Sequence, residues 1–193
     1  MDRNAIRTLM EESLEVLRTY RHDLMNQVQL IQAYAQMKKY ERLQTPIQAL
    51  VAEAQRHTEW SSFPSAMVSY VVVSRDISYP MLTLHVSYEQ KEAPLDEAEM
   101  LAAQVLSDML DRLGAESKTV LEPIPLDVWI VANGQGYEIG WYISEREGAS
   151  LPAIDWSAWA QRWEPLGVQF SQEQAEDGTE NLACFQLSVE RER

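Results

Sequence analysis

The residues best placed to do chemistry lie together in Arg21-His22-Asp23-Leu24-Met25-Asn26. An imidazole with a pKa near about 6.5 keeps a neutral, nucleophilic fraction around neutral pH, so His22 is useful only if something holds it in the open. Around it Met10, Leu14, Leu17, Leu24, Val28, Ile31 and Ala35 recur at alternating spacings of four and three, with Arg21 filling one slot. That heptad-like stripe packs helix against helix. At about 100° per residue the stripe centres near Leu17, Leu24 and Val28, and His22 falls roughly 135° away. It shares its face with Arg18, Asn26 and Gln29. The spacing therefore predicts an exposed imidazole in the middle of a rigid helix, not a core histidine.

The elements that must position it follow from composition. The first 60 residues contain no glycine and a single proline, Pro46. A helix from residue 3 to Lys39 would be roughly 55 Å long at 1.5 Å per residue, which belongs in a bundle. Thr45-Pro46 reads as an N-cap followed by proline at the first helical position. A second helix then runs to Trp60 with Ile47, Leu50, Val51 and Ala54 inward. Such a hairpin leaves apolar surface uncovered, and dimerisation into a four-helix bundle is the expected remedy. Ser61-Ser62-Phe63-Pro64 is the expected hinge, giving domains 1–62 and 63–193. In the second, Ser65–Arg75 and Asp96–Leu113 read as helices, the latter stopped by Gly114. Strands are expected at Met81–Tyr88, Ser117–Leu121, Leu126–Ala132, Tyr137–Ser144, Val168–Gln172 and 182–189, with a helix at Asp155–Leu166. The fold class is α+β: a helical hairpin followed by an α/β sandwich with a mainly antiparallel sheet.

Charge and composition exclude several functions. Sixteen Lys and Arg against 30 Asp and Glu leave a net charge of −14, which argues against nucleic acid or an anionic membrane surface. No apolar run approaches the roughly 20 residues that span a bilayer, and MDRNAIRTLMEESLEVLRTYRHD has no signal-peptide core, so a cytoplasmic location is expected. Cys184 is the one cysteine, which excludes a disulfide framework and a cysteine-built zinc site. The three histidines, His22, His57 and His85, are too scattered for a transition-metal cage.

His-Asp/Glu-x-x-Asn on a long bundle helix resembles the phosphoacceptor box of two-component histidine kinases and phosphotransferases. More closely, RHDLMNQVQLIQAYAQMKKYERL resembles the sporulation initiation phosphotransferase B family, in which a RHDWMN-type segment is followed by apolar residues and a KYDR-type helix end. Arg21, His22, Asp23, Met25 and Asn26 match the box, and Lys39, Tyr40, Glu41 and Arg42 the helix end. Beyond Trp60 the resemblance is one of element order, with MLTLHVSY similar to the family's first strand after its hinge. It implies a homodimer that takes a phosphoryl group from the aspartate of one response regulator onto His22 and hands it to a second regulator. It further implies that Asp23 holds the imidazole tautomer and Asn26 orients the ring or touches the regulator. Arg18, Arg21, Met25 and Gln29 are expected to meet the partner, one of the arginines offsetting phosphate charge. No intrinsic cofactor or metal is implied, because the receiver domain brings its own Mg²⁺ and lysine.

A sensor kinase using ATP is the first rival, and a non-catalytic scaffold that binds a regulator through the same face is the second. The kinase needs an Asn-bearing helix and glycine-rich phosphate loops, but DEAEMLAAQVLSDMLDRL contains no Asn. Its one Gly-x-Gly, within Asn133-Gly134-Gln135-Gly136, lies between two strands and reads as a hairpin turn. The carboxy-terminal domain is thus expected to be a degenerate kinase ATP domain. His57 is expected near a helix C-terminus, where a cation is favoured, and His85 as a satisfied sheet residue. Trp156, Trp159 and Trp163 are expected to pack a core.

Overall fold

A stretch with neither glycine nor proline forms α1 (Arg3–Gln36). The computed structural model describes residues 3–144, 154–174 and 180–188, and the chain divides into two compact units, Met1–Ser62 and Phe63–Arg193. Helix α1 ends in a Schellman motif made without glycine. Lys38 takes the left-handed conformation at φ 56°. Its N–H bonds to the Ala35 carbonyl at 3.0 Å, and that of Lys39 to Tyr34 at 2.9 Å. A 3₁₀ turn at Tyr40–Arg42 leads into α2 (Gln44–Trp60). Thr45 and Pro46 are therefore inside the first turn, not at its cap; Leu43 occupies the N-cap without a side-chain bond. Proline is tolerated there because no first-turn N–H has an intrahelical partner to lose.

The single stripe expected on α1 resolves into two faces. Val16, Tyr20, Leu24, Gln27, Ile31 and Tyr34 are half-buried, and this line meets α2. The Tyr20 ring lies 6.0 Å from that of His57, and Gln27 Nε2 donates to Glu53 at 3.2 Å. About 90° further round at 100° per residue, Met10, Leu14, Leu17 and Val28 remain 63%, 52%, 61% and 42% exposed. On α2, Leu50 is half-buried while Ala54 is exposed. Ile47 and Val51, expected inward, are 43% and 49% exposed. Each helix therefore has one apolar face turned to its neighbour and another at a corner angle to it. That is the pattern of a helix with two neighbours in a bundle.

The second unit is a two-layer α+β fold. Its sheet comprises β1 (Leu82–Gln90), β2 (Ile124–Asn133), β3 (Gly136–Ser144), β4 (Val168–Gln174) and β5 (Glu180–Ser188), in the order β1-β2-β3-β5-β4. Among the described residues only β1 and β2 pair in parallel, since a crossover joins them: α4 (Asp96–Ser117). Leu82, Leu84 and Val86 of β1, Ile124 to Ala132 at alternate positions of β2, and Ile139 and Trp141 of β3 are buried. Their face lies beneath α4, which packs on β1 and β3 and against α3 (Ala66–Ser78). Ser65 caps α3 by accepting the Val68 N–H at 3.1 Å and donates to Glu99 on α4 at 2.6 Å. Arg75 ion-pairs with Asp111 at 2.8 Å, and the Tyr79 hydroxyl donates to the same carboxylate at 2.8 Å. Burial, then that hydrogen bond to an anion, pushes the Tyr79 hydroxyl up to about 12.

Three expectations in this unit fail for tertiary reasons. Gly114 does not stop α4, which continues to Ser117. A methyl group at Gly114 would overlap the Tyr79 ring, so the glycine serves close packing. Residues 117–121 are accordingly helix end and turn rather than strand, and Leu121 is 96% exposed. The helix expected over 155–166 breaks into α5 (Trp156–Ala160) and a 3₁₀ turn at Glu164–Leu166. Trp156, Trp159 and Trp163 are buried core residues. Trp156 packs edge-on against Trp141 at 5.0 Å, and Trp159 Nε1 donates to Asp108 at 2.6 Å. His85 lies mid-strand in β1, in register with Asp127 of β2 as a sheet residue should be, and its side chain is exposed on the open side of the sheet. Gly134-Gln135 is a hairpin turn, clamped by Asn133 Oδ1, which accepts the N–H groups of Gln135 and Gly136 at 2.9 and 3.0 Å.

Candidate phosphoacceptor site

His22 lies near the middle of α1, and 74% of its side chain is exposed. The direction follows from the helix geometry. Taking Leu24 as zero at about 100° per residue, the α2-facing line centres near −50° and the unpartnered apolar face near +40°, while His22 lies at about 160°. It points away from both. Two turns of helix on either side fix its backbone, so the ring is presented by a rigid element, not by a loop.

Both contacts of the ring use the same nitrogen. Nδ1 lies 3.0 Å from Asp23 Oδ1 and 3.3 Å from Asn26 Nδ2. A carboxylate only accepts, so the shorter contact requires a proton on Nδ1. Nε2 then carries the lone pair and faces solvent. Nδ1 cannot at once donate to Asp23 and accept from the Asn26 amide; with the Asn26 amide turned over, its oxygen would share the same proton. Asp23 and Asn26 together thus select one tautomer and one ring orientation, leaving a free nucleophilic nitrogen.

The remaining expected site residues are distributed by their angle. Arg18, Asn26 and Gln29 are exposed on the His22 face, as the spacing predicts. Arg18 Nη1 pairs with Glu15 at 3.1 Å, with both side chains mostly in solvent. Met25, 48% exposed, and Arg21, also exposed, lie round toward the unpartnered apolar face. Sequence reasoning missed Glu15, although its spacing of three from Arg18 is an ion-pair signal on a helix. It also missed Gln27 and Glu53, polar residues that join the two helices one turn below His22. His57 lies in the last turn of α2, as expected, and its half-buried ring sits between those of Tyr20 and Trp60, at 6.0 and 5.9 Å. Toward the hairpin turn an open groove of about 560 Å³ is lined by residues including Gln27, Leu30, Tyr34, Arg42 and Pro46. Among the described residues no cluster of three or more His, Cys, Asp or Glu could hold a metal ion, and no helix is long and apolar enough to cross a membrane.

Residues 4–62 match the family described as sensor kinase SpoOB-type, alpha-helical domain. No curated protein matches the chain. Among solved structures it is similar to the Acinetobacter baumannii histidine kinase AdeS, at 12% identity and a TM-score of 0.45, covering 88% of this chain and 98% of that one. It is also similar to histidine kinase ThkA in complex with the response regulator protein TrrA, at 13% identity and a TM-score of 0.43, over 94% of this chain and 63% of that one. A structure titled as a bacterial phosphotransferase has 10% identity and a TM-score of 0.42, over 92% of this chain and 96% of that one.

Proposed function

We propose, from the match of residues 4–62 to the SpoOB-type sensor-kinase alpha-helical domain family, that the chain is a phosphorelay phosphotransferase. It takes a phosphoryl group from the aspartate of one response regulator onto His22 and passes it to the aspartate of a second, in sporulation initiation, without using ATP. The observation that carries the proposal is the outward His22 ring with Nδ1 engaged and Nε2 free.

The chemistry asks little more of this chain. Phosphoryl transfer runs through a loose transition state, so alignment and charge stabilisation dominate. The Nε2 lone pair attacks phosphorus in line as the bond from phosphorus to the aspartyl oxygen breaks, and the carboxylate leaves with that electron pair. The Nδ1 proton stays against Asp23, which offsets the positive charge growing on the ring. Mg²⁺ and a lysine come with the receiver domain. Transfer to the second regulator is the same step reversed. Two copies complete a four-helix bundle by burying the unpartnered faces of α1 and α2, so that each dimer offers two His22 sites in the cytoplasm.

The test is transfer from a ³²P-labelled receiver domain to the full chain and to His22→Gln. Acid-labile label on the wild type and none on the variant, with the dimer intact, is expected; label retained by the variant refutes the assignment. Incubation with labelled ATP alone addresses the kinase alternative, since label without a regulator would establish it. A regulator that binds but leaves His22 unlabelled would establish a scaffold.

A further inference from the structure

Glu15, Arg18 and His22 follow one another along a single face of α1. At about 100° and 1.5 Å per residue, Glu15 and His22 are nearly in line and about 10 Å apart, with Arg18 between them and some 40° from His22. Arg21 lies about 100° from His22 and toward the other apolar face. Arg18 is thus the cation one helical turn from the acceptor, in the i,i+4 relation at which side chains meet. In the structure its Nη1 is turned to Glu15, at 3.1 Å, with the two side chains 65% and 70% exposed. Of the other charges on this stretch, Glu11 pairs with Arg7 at 2.8 Å and Asp23 meets His22 Nδ1 at 3.0 Å.

We propose that Glu15 is a positioning residue for the phosphorylated state, holding Arg18 while His22 is bare and releasing it to the phosphoryl group once Nε2 carries one. The inference rests on His22 being the acceptor. A phosphoryl group brings a charge of about −1.5 to −2 and three strong acceptor oxygens, against −1 on a carboxylate. Arg18 can reach either by rotating its side chain, with no movement of the helix. An exposed ion pair is weak enough to be exchanged. The arginine therefore moves toward the larger charge, and Glu15 sets how readily it goes. By competing for Arg18, Glu15 leaves phosphohistidine less stabilised than a free arginine would, which favours passing the group on over storing it.

The experiment uses the full chain, phosphorylated with phosphoramidate so that no regulator is needed. The Nε2–P bond forms as the P–N bond of the donor breaks and ammonia leaves. Phosphorus NMR over a pH series gives the ionisation of the phosphoryl group, the His22 resonance being the one lost in His22→Gln. Freeing Arg18 by Glu15→Gln should lower that apparent pKa by about 0.3 unit, a twofold change of the size an exposed pair gives. Arg18→Gln should raise it by a similar amount, and Glu15→Gln should then have little further effect. A pKa indifferent to Glu15→Gln, or a Glu15 effect that persists undiminished in Arg18→Gln, overturns the proposal while leaving the acceptor in place. If no resonance disappears in His22→Gln, the acceptor assignment falls and this inference with it.

Discussion

Replacing Leu17 by Glu should dissociate the proposed dimer. Leu17 lies about 20° from Leu24 at 100° per residue, close to the direction between the two apolar faces of α1, where a bundle has its centre. It is 61% exposed in the single chain. Covering that remainder contributes roughly 1 to 2 kcal/mol per copy, which the substitution forfeits. A carboxylate in its place adds a desolvation cost that is itself several kcal/mol when a charge is buried unpaired. A two-fold dimer carries the change twice, so about 4 kcal/mol is a low figure for the loss. That corresponds to roughly a thousandfold rise in Kd. Sedimentation equilibrium over a concentration series measures it, with Gln29→Glu as the control, since Gln29 is exposed on the His22 face. The wild type should remain dimeric where Leu17→Glu is a monomer. The wild type's melting temperature should also depend on concentration, and the monomeric variant's should not. An unchanged Kd in Leu17→Glu, or equal dissociation by Gln29→Glu, would refute the assignment of this face.

Two further outcomes concern the second unit. Gly114→Ala improves helix propensity by about 1 kcal/mol, yet it should destabilise the fold by about 1 to 3 kcal/mol net, because its methyl group overlaps the Tyr79 ring. Denaturant melts check the sign, and in a Tyr79→Ala background the same change should cease to be harmful. The Tyr79 hydroxyl, raised from 10.0 to about 12 by burial first and by Asp111 next, binds its proton more tightly folded than unfolded. Its contribution to stability is therefore fully present below about pH 10 and lost as pH rises toward 12. Tyr79→Phe should flatten the fall of the second unit's stability across that window; an unchanged slope would show that Tyr79 is not its source.

Several features of the molecule could be read from local sequence because they depend on local rules. The absence of glycine and proline before residue 46 predicts helix, and α1 follows. Period-two alternation in MLTLHVSY predicts a strand, and β1 follows. Gly114, by contrast, looks like a helix stop because glycine after an amphipathic run usually is one. The Tyr79 ring, 35 positions earlier in the chain, makes it a packing residue instead. The alternation that predicts β1 does not say which side of the sheet stays open, and His85 falls on that side. Thr45-Pro46 carries a capping signal, but the chain enters α2 two residues earlier, led by the 3₁₀ turn at Tyr40–Arg42.

The outward direction of His22 was determined by the sequence alone, since a rigid helix converts residue spacing into angle at a constant rate. What occupies the other directions was decided only in three dimensions. A heptad stripe is wide enough to contain two contact faces, and only the position of α2 separates the face built on Tyr20, Gln27 and Ile31 from the one built on Met10, Leu14 and Leu17. Which nitrogen of His22 stays free is likewise not given by spacing, because it depends on the rotamers in which the Asp23 and Asn26 side chains of the same helix come to rest. Spacing gives direction along one helix. Distance to a particular atom depends on rotamers and neighbouring elements, which no periodicity encodes.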